Sequence, residues 1–430
     1  MRPRRPVPTA LHAPLRGMCS SATVAINERS DELRRGGREI FKLGLGQSPF
    51  PVPDLVVQAL RQNAPQKDYL PVRGLRALRE AVAQHHYRVD QIEPRTGDDV
   101  IIGPGSKELM FLLQLCFDGQ LVIPAPSWVS YAPQARLLGR SVHHLPTRLS
   151  DRYNLVPEVL AGHCERAPET ARLLVLNYPN NPTGFTYTAD ELRQLAEVAR
   201  SYGVLVLSDE IYAPLDHTGR HTSIARFYPE GTIVSGGLSK WCGAGGWRLG
   251  TMLFPPSLRW LLDAVAAAAS ETFTTASAPI QFAAVTAYSG YGELADYLTD
   301  SRRLLSALGA WLAGRLRSAG IHCDPPQGAF YVVADFAELG PTLERRGIQS
   351  GVALCERLLD ETGVAILPGS DFGLPASSLT ARIAYVDFDG GRALTAVRAH
   401  GIDGSLDAQF LSEHCGNVVR AIDRLCEWAT

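Results

Sequence analysis

Several things are scarce in this 430-residue chain, and each scarcity excludes a class of protein. No long apolar run is present: the longest candidate, residues 261–269, contains Asp263 and falls well short of the roughly 20 residues of a membrane span, so no membrane association is expected. Positive charge is not in excess, because 42 Lys and Arg face 44 Asp and Glu for a formal net charge of -2. A chain without a basic field is not expected to bind nucleic acid. Cysteines are present but unpaired in pattern: Cys19, Cys116, Cys164, Cys242, Cys323, Cys355, Cys415 and Cys426 include no CxxC and no metal-like spacing. They read as reduced thiols of a cytoplasmic protein. The sequence shows no internal repeat and no low-complexity linker, and no appended DNA-binding module is expected.

The first twenty residues hold four arginines, four prolines and no acidic residue. Without an apolar helical face they are expected to be a disordered tail over residues 1–21. Their acid-poor, Arg-rich character is also that of an organelle transit peptide, but the prolines spoil the amphipathic helix such peptides form.

What the chain does have is alternation. Short apolar runs at residues 100–102, 121–123, 173–176, 204–207, 232–234 and 252–254 are separated by helical patterns. Continuous apolar strands between helices predict an α/β fold with a mainly parallel sheet covered on both faces, and ligands beyond the carboxyl ends of its strands. Helices are expected over residues 25–35 and 75–86 and from Asp54, a strand running into a glycine turn over 40–46, another strand over 379–385, and a final amphipathic helix over 407–428.

The polar motifs fall where that rule puts them. After residues 100–102 comes Gly103-Pro-Gly105-Ser106-Lys107, a glycine turn into a helix, which is either an anion site or only a tight connection. After 121–123 comes Trp128, able to stack on a flat ring or to sit in the core. After 173–176 comes Asn177-Tyr-Pro-Asn180-Asn181-Pro-Thr-Gly184, a turn whose Asn–Pro bond is a candidate for the cis form. After 204–207 comes Asp209-Glu-Ile-Tyr212, a carboxylate that either caps a helix or meets a cation. After 232–234 comes Ser235-Gly-Gly-Leu-Ser239-Lys240, with Arg248 eight residues later. A lysine amine there can form an imine with an aldehyde and the arginine fork suits a phosphate, the alternative being a solvated lysine and a structural arginine in a glycine loop.

This set of motifs resembles the class I/II aminotransferases, pyridoxal-5'-phosphate enzymes of fold type I, over roughly residues 22–400. Gly46 and the Tyr69 loop before the set, and Gln327-Gly-Ala-Phe-Tyr331, Leu367-Pro-Gly-Ser-Asp-Phe-Gly373 and Ala381-Arg382 after it, agree. The resemblance implies a large cofactor-binding domain over residues 69–305. A smaller α+β domain would be drawn from both termini, with 22–68 joining 306–430.

It also implies roles. Lys240 would carry pyridoxal phosphate as an internal aldimine and then move the proton between substrate and cofactor. Asp209 would keep the pyridinium nitrogen protonated, Tyr212 and Asn181 would bond the phenolic oxygen, and Trp128 would stack on the ring. Gly105, Ser106, Lys107, Ser239 and Arg248 would cradle the phosphate. Tyr69 would reach the phosphate of the other subunit of a homodimer, with Thr274 or Thr275 as further candidates to cross over. Arg382 would clamp the substrate α-carboxylate, helped by Asn181 and the Gly46 backbone. Many relatives carry a hydroxyl where this chain has Gly237, so that phosphate contact would be either missing or supplied by Ser235 or Ser239.

The expected reaction is transfer of the α-amino group of an L-amino acid to a 2-oxo acid by a ping-pong mechanism. A β-lyase or a cyclising or eliminating enzyme with the same cofactor is the alternative, and a non-catalytic ligand-sensing module a more remote one. No metal is called for. For a distal carboxylate on the substrate, Arg73, Lys107 and Arg35 are candidates by residue type alone.

Overall fold

A computed structural model describes residues 15–16, 20–401 and 404–430, so most of the expected tail lies outside the described residues. The strands in chain order are β1 (Phe41–Lys42), β2 (Val100–Gly103), β3 (Gln120–Ala125), β4 (Val142–Pro146), β5 (Arg172–Asn177) and β6 (Leu205–Asp209). They continue with β7 (Thr232–Gly237), β8 (Gly250–Leu253), β9 (Tyr331–Asp335), β10 (Val364–Ala365), β11 (Leu367–Pro368) and β12 (Thr380–Ala384). The helices that matter most for the site are α1 (Ala22–Arg35), α2 (Asp54–Asn63), α3 (Arg76–Arg88) and α4 (Ser106–Cys116).

Seven strands form the central sheet in the order β2-β8-β7-β6-β5-β3-β4. Every pairing among β3 to β7 in it is parallel, and β8 alone runs antiparallel, against both β2 and β7. Each apolar run feeds both faces, as a sheet covered on both sides requires. Leu173 and Val175 pack with α4 and the helix Arg259–Glu271, whereas Leu174 and Leu176 pack with Leu192 and Leu195 of the helix Ala189–Ser201. That last helix begins with a capping box in which Thr188 and Glu191 satisfy each other's backbone N–H groups.

The smaller part of the molecule has an antiparallel sheet β11-β12-β9 and a parallel pair β1-β10, which joins the N-terminal segment to the C-terminal one. Three expectations need correction. The segment 22–68 divides: α1 contacts β11, but α2 packs against the helix Ala278–Ser289 beside the central sheet. The strand expected to run into a glycine turn over 40–46 is only two residues long; the expected turn is present from Gly44, and a Cβ at Gly46 would collide with the Tyr331 hydroxyl. The final helix breaks at Cys415 into Ala408–His414 and Gly416–Ala429, with glycine at the junction.

Candidate active site

β2, β3, β5, β6 and β7 all end toward one edge of the sheet, and the antiparallel β8 begins there, so Arg248 just before it joins the residues just after the others. Together they line a cavity of about 430 Å³, closed from the other side by Leu45, Gly46, Tyr331 and Arg382 of the smaller part.

Lys240 follows β7, and its Nζ donates to the Gly46 carbonyl at 2.7 Å. Burial, reinforced by the nearby Arg382 charge, lowers its pKa to about 8. An amine tuned close to neutrality can both take up and give back a proton. Asp209 ends β6 with its carboxyl buried, and burial pushes its pKa up to about 6 against a hydrogen bond of 2.5 Å that it accepts from the Tyr131 hydroxyl. Asn177 fixes this strand end by donating its side-chain amide to the Asp209 backbone carbonyl at 2.8 Å, while its side-chain Oδ1 accepts the Asn181 backbone N–H. The result is a desolvated carboxylate with room for a cationic partner.

Tyr212 is buried with its hydroxyl 2.7 Å from that of Tyr331, and the Lys240 Nζ lies 5.7 Å from the centre of its ring. Arg382 is wholly buried in β12, with its guanidinium between the rings of Tyr331 and Phe372 at 4.8 and 4.9 Å. It donates to Asn181 Oδ1 at 3.3 Å and to the Gly44 carbonyl, and its Nε has no partner. Both partners are neutral oxygens, so the positive charge is left for an anion entering the cavity.

At the opposite end, α4 starts at Ser106 with no side chain capping its free N–H groups. Gly105 precedes it at φ +96, where a Cβ would strike the Arg248 guanidinium, so glycine is required twice over. Arg248 donates to the carbonyls of Gly245 and Pro104 at 2.9 and 3.4 Å. Ser239 lines the same region. Lys107 places its Nζ 4.9 Å from the centre of the Trp128 ring, and burial, with Arg248 adding to it, lowers its pKa.

Of the residues picked from the sequence, eleven line the cavity: Gly46, Ser106, Lys107, Trp128, Asn181, Asp209, Tyr212, Ser239, Lys240, Arg248 and Arg382. Gly105 stands behind Arg248. Tyr69 does not line it and is 88% exposed. Ser235 is corrected: it is buried on the other side of β7, so of the two hydroxyls offered for the Gly237 position only Ser239 is at hand. Arg73 ion-pairs with Asp263, and Arg35 bonds the Asp31 carbonyl, so neither lines the cavity. Thr274 and Thr275 do not line it either. The Asn181–Pro182 bond is not cis; the cis bond of that turn is Tyr178–Pro179.

Sequence reasoning gave no role to Tyr131, Asn177 and Tyr331, nor to Thr23, Val24 and Gln47, which line the cavity from the N-terminal segment. Tyr131 carried the one available signal, being three residues after Trp128 on the same turn. Its ring now meets that of Trp128 edge to face at 5.2 Å.

Residues 38–387 match the family model described as aminotransferase class I and II. An aspartate aminotransferase of Geobacillus stearothermophilus is 34% identical over 364 residues, covering 83% of this chain and 90% of the relative. An aspartate/prephenate aminotransferase of Thermus thermophilus is 32% identical over 363 residues, covering 83% and 90%. The solved structure of a Thermus thermophilus aspartate aminotransferase with maleate superposes with a TM-score of 0.82 at 29% identity, over 97% of this chain and 99% of that one.

Proposed function

This chain belongs to the class I and II aminotransferases, pyridoxal-5'-phosphate-dependent enzymes that exchange an amino group between an amino acid and a 2-oxo acid, and from that membership we propose that its amino donor is aspartate or another dicarboxylic amino acid. The observation carrying this reading is that two cations on separate parts of the molecule, Arg382 of β12 and Lys107 of α4, line one cavity. Of the three cations considered for a distal carboxylate, Lys107 alone is there. The curated relatives named for aspartate agree.

The residues fit the cofactor. Asp209 is a desolvated carboxylate suited to the ring nitrogen, Ser106, Ser239 and Arg248 with the uncapped start of α4 suit a phosphate, and Trp128 offers a flat face. When bound, pyridoxal phosphate supplies a protonated ring that accepts the electron pair left on the substrate Cα. Lys240 would hold it covalently through Nζ and, once released, take the Cα proton on the same atom and return it elsewhere. Tyr212 and Asn181 would bond the ring's phenolic oxygen. Arg382 would hold the α-carboxylate, its orientation preset by Asn181, Gly44 and the two flanking rings. Lys107, which the sequence resemblance assigns to the phosphate, we assign to the distal carboxylate, because Arg248 and Ser106 already serve the phosphate end.

We further place the enzyme in the cytoplasm as a homodimer with shared sites. No helix among the described residues is long and apolar enough to cross a membrane. The exposed Tyr69 is in keeping with a residue offered to a neighbouring subunit. Transamination is favoured over the lyase or cyclase reading by the relatives, all three of those reported above being aminotransferases.

Lys107→Met tests the donor assignment. Loss of a charged hydrogen bond of about 1.5–3 kcal/mol should cut kcat/KM for L-aspartate roughly 10- to 100-fold and leave that for L-alanine and the cofactor's affinity nearly unchanged. Equal loss with both donors, together with cofactor lost on dialysis, would return Lys107 to the phosphate and remove the dicarboxylate assignment.

A further inference from the structure

A second cavity, of about 350 Å³, lies behind the first, and Ile211 lines both. Where Asp209 and Lys240 face the front cavity, the adjoining Glu210, Ser235, Gly236, Gly237 and Trp241 line the rear one. The far wall comes from His85, His86 and Asp90 at the end of α3, with Tyr288 and Tyr291 beyond them. Its volume is in the range of roughly 300–1,000 Å³ that takes small molecules.

The acids of this rear cavity already have partners. Asp90 Oδ2 is 2.7 Å from His86 Nδ1, and Glu210 Oε2 is 2.9 Å from His221 Nε2. The other Glu210 oxygen accepts the hydroxyls of Ser208 and Ser223 at 2.7 and 2.6 Å. Unmatched groups remain beside them: His85 Nδ1, His221 Nδ1 and Ser235 Oγ are buried without a hydrogen-bond partner. Burial opposes charge on His221, but the surrounding carboxylates, Glu210 foremost with Asp90 and Asp216, together outweigh it and raise the imidazole pKa. In its protonated form, with Nε2 committed to Glu210, His221 has one N–H left to donate from Nδ1. Arg220 and Arg226 stand exposed at the mouth and Arg302 half-buried beside them, and none of the three forms an ion pair with a carboxylate among the described residues.

Buried donors without acceptors, behind arginines without counter-ions, are complementary to a small anion. We propose that the rear cavity is a binding site for a small oxyanion of the phosphate or carboxylate class, received by Arg220, Arg226 and Arg302 and bonded inside by His221 and Ser235. The site is separate from the transamination chemistry, and its case does not depend on the amino donor. Its occupant would touch Ser235 to Gly237, the end of the strand that leads to Lys240, which gives the anion a route to influence the catalytic amine.

The test is calorimetric titration of the holoenzyme, in a buffer free of phosphate and carboxylates, with inorganic phosphate in one arm and acetate in the other. The wild-type protein should bind one equivalent of at least one anion that is weakened about tenfold or more by the exposed pair Arg220→Gln/Arg226→Gln, a loss of about 1.4 kcal/mol. Ser235→Ala should weaken it from the inside, and neither variant should change the KM for the amino donor or the cofactor spectrum. The arm that binds more tightly identifies the class of oxyanion. Binding of neither anion, or binding that both variants leave unaltered, overturns the proposal.

Discussion

Asp209 and Glu210 are consecutive, equally buried carboxylates at the end of one strand, yet the two sides of the sheet treat them in opposite ways. On the rear side Glu210 is saturated, taking hydrogen bonds from Ser208, Ser223 and Tyr178 and pairing with His221. On the front side Asp209 has Tyr131 and one long contact from the Ile211 N–H at 3.4 Å, and burial dominates its protonation. The rear carboxylate is finished by the fold, whereas the front one is left to be completed by what binds. A site that performs chemistry is the place where such unsatisfied charge is expected.

The largest effect should come from breaking the finished side. Glu210→Ala strands His221 and three hydroxyls, and removal of one partner from a buried pair costs about 3–5 kcal/mol. Urea denaturation of the holoenzyme measures it, and a cost below about 1 kcal/mol would erase the contrast. Asp209→Asn should act with the opposite sign on the apoprotein. Burial moves the Asp209 pKa from 3.8 to about 6, so below pH 3.8 the group costs nothing, and its penalty grows as pH rises toward 6 and is complete above it. The asparagine variant should therefore gain stability over the wild-type apoprotein across that window, by up to about 3 kcal/mol at pH 7, while losing transaminase activity. Parallel denaturation series at pH 4 and pH 7 read the sign directly. The smallest effect sharpens the same point: Tyr131→Phe removes the hydrogen bond that restrains the Asp209 pKa. The acidic limb of kcat/KM should shift to higher pH, and the rate at pH 7 should fall by roughly 10- to 100-fold, for a bond of about 1.5–3 kcal/mol.

The front cavity was legible in the sequence to the extent that its parts come as contiguous motifs. Ser239-Lys240, Asp209 to Tyr212 and Asn180 to Gly184 each follow an apolar run, and the parallel-sheet rule gathers such residues at one edge. Partners that meet only through tertiary structure were not legible. Tyr131 lies 78 positions from Asp209 and Tyr331 lies 119 from Tyr212, and nothing local in either stretch announces the hydrogen bond. The choice between Ser235 and Ser239 stayed open for a related reason: distance from Lys240 in sequence does not tell which face of β7 the Ser235 side chain takes. The rear cavity was not anticipated at all, because it joins α3 to the loop after β6 and to β7, and its histidines carry no motif. Helix ends drifted by a few residues, and the break at Cys415 fell inside an unbroken amphipathic pattern, where packing and a glycine overrode periodicity.

The central claim is that Lys240 at the front cavity works with pyridoxal phosphate to take the amino group from a dicarboxylic amino acid. Its most direct test is the absorbance of the purified holoenzyme mixed with L-aspartate and no 2-oxo acid, beside the same experiment on Lys240→Ala. The account predicts that the visible cofactor band of the wild-type protein gives way to a near-ultraviolet band with one equivalent of 2-oxo acid released, that a 2-oxo acid restores it, and that the variant fails to turn over. Continued release of keto acid and ammonia without an acceptor, or a Lys240→Ala protein that still transaminates, would contradict it.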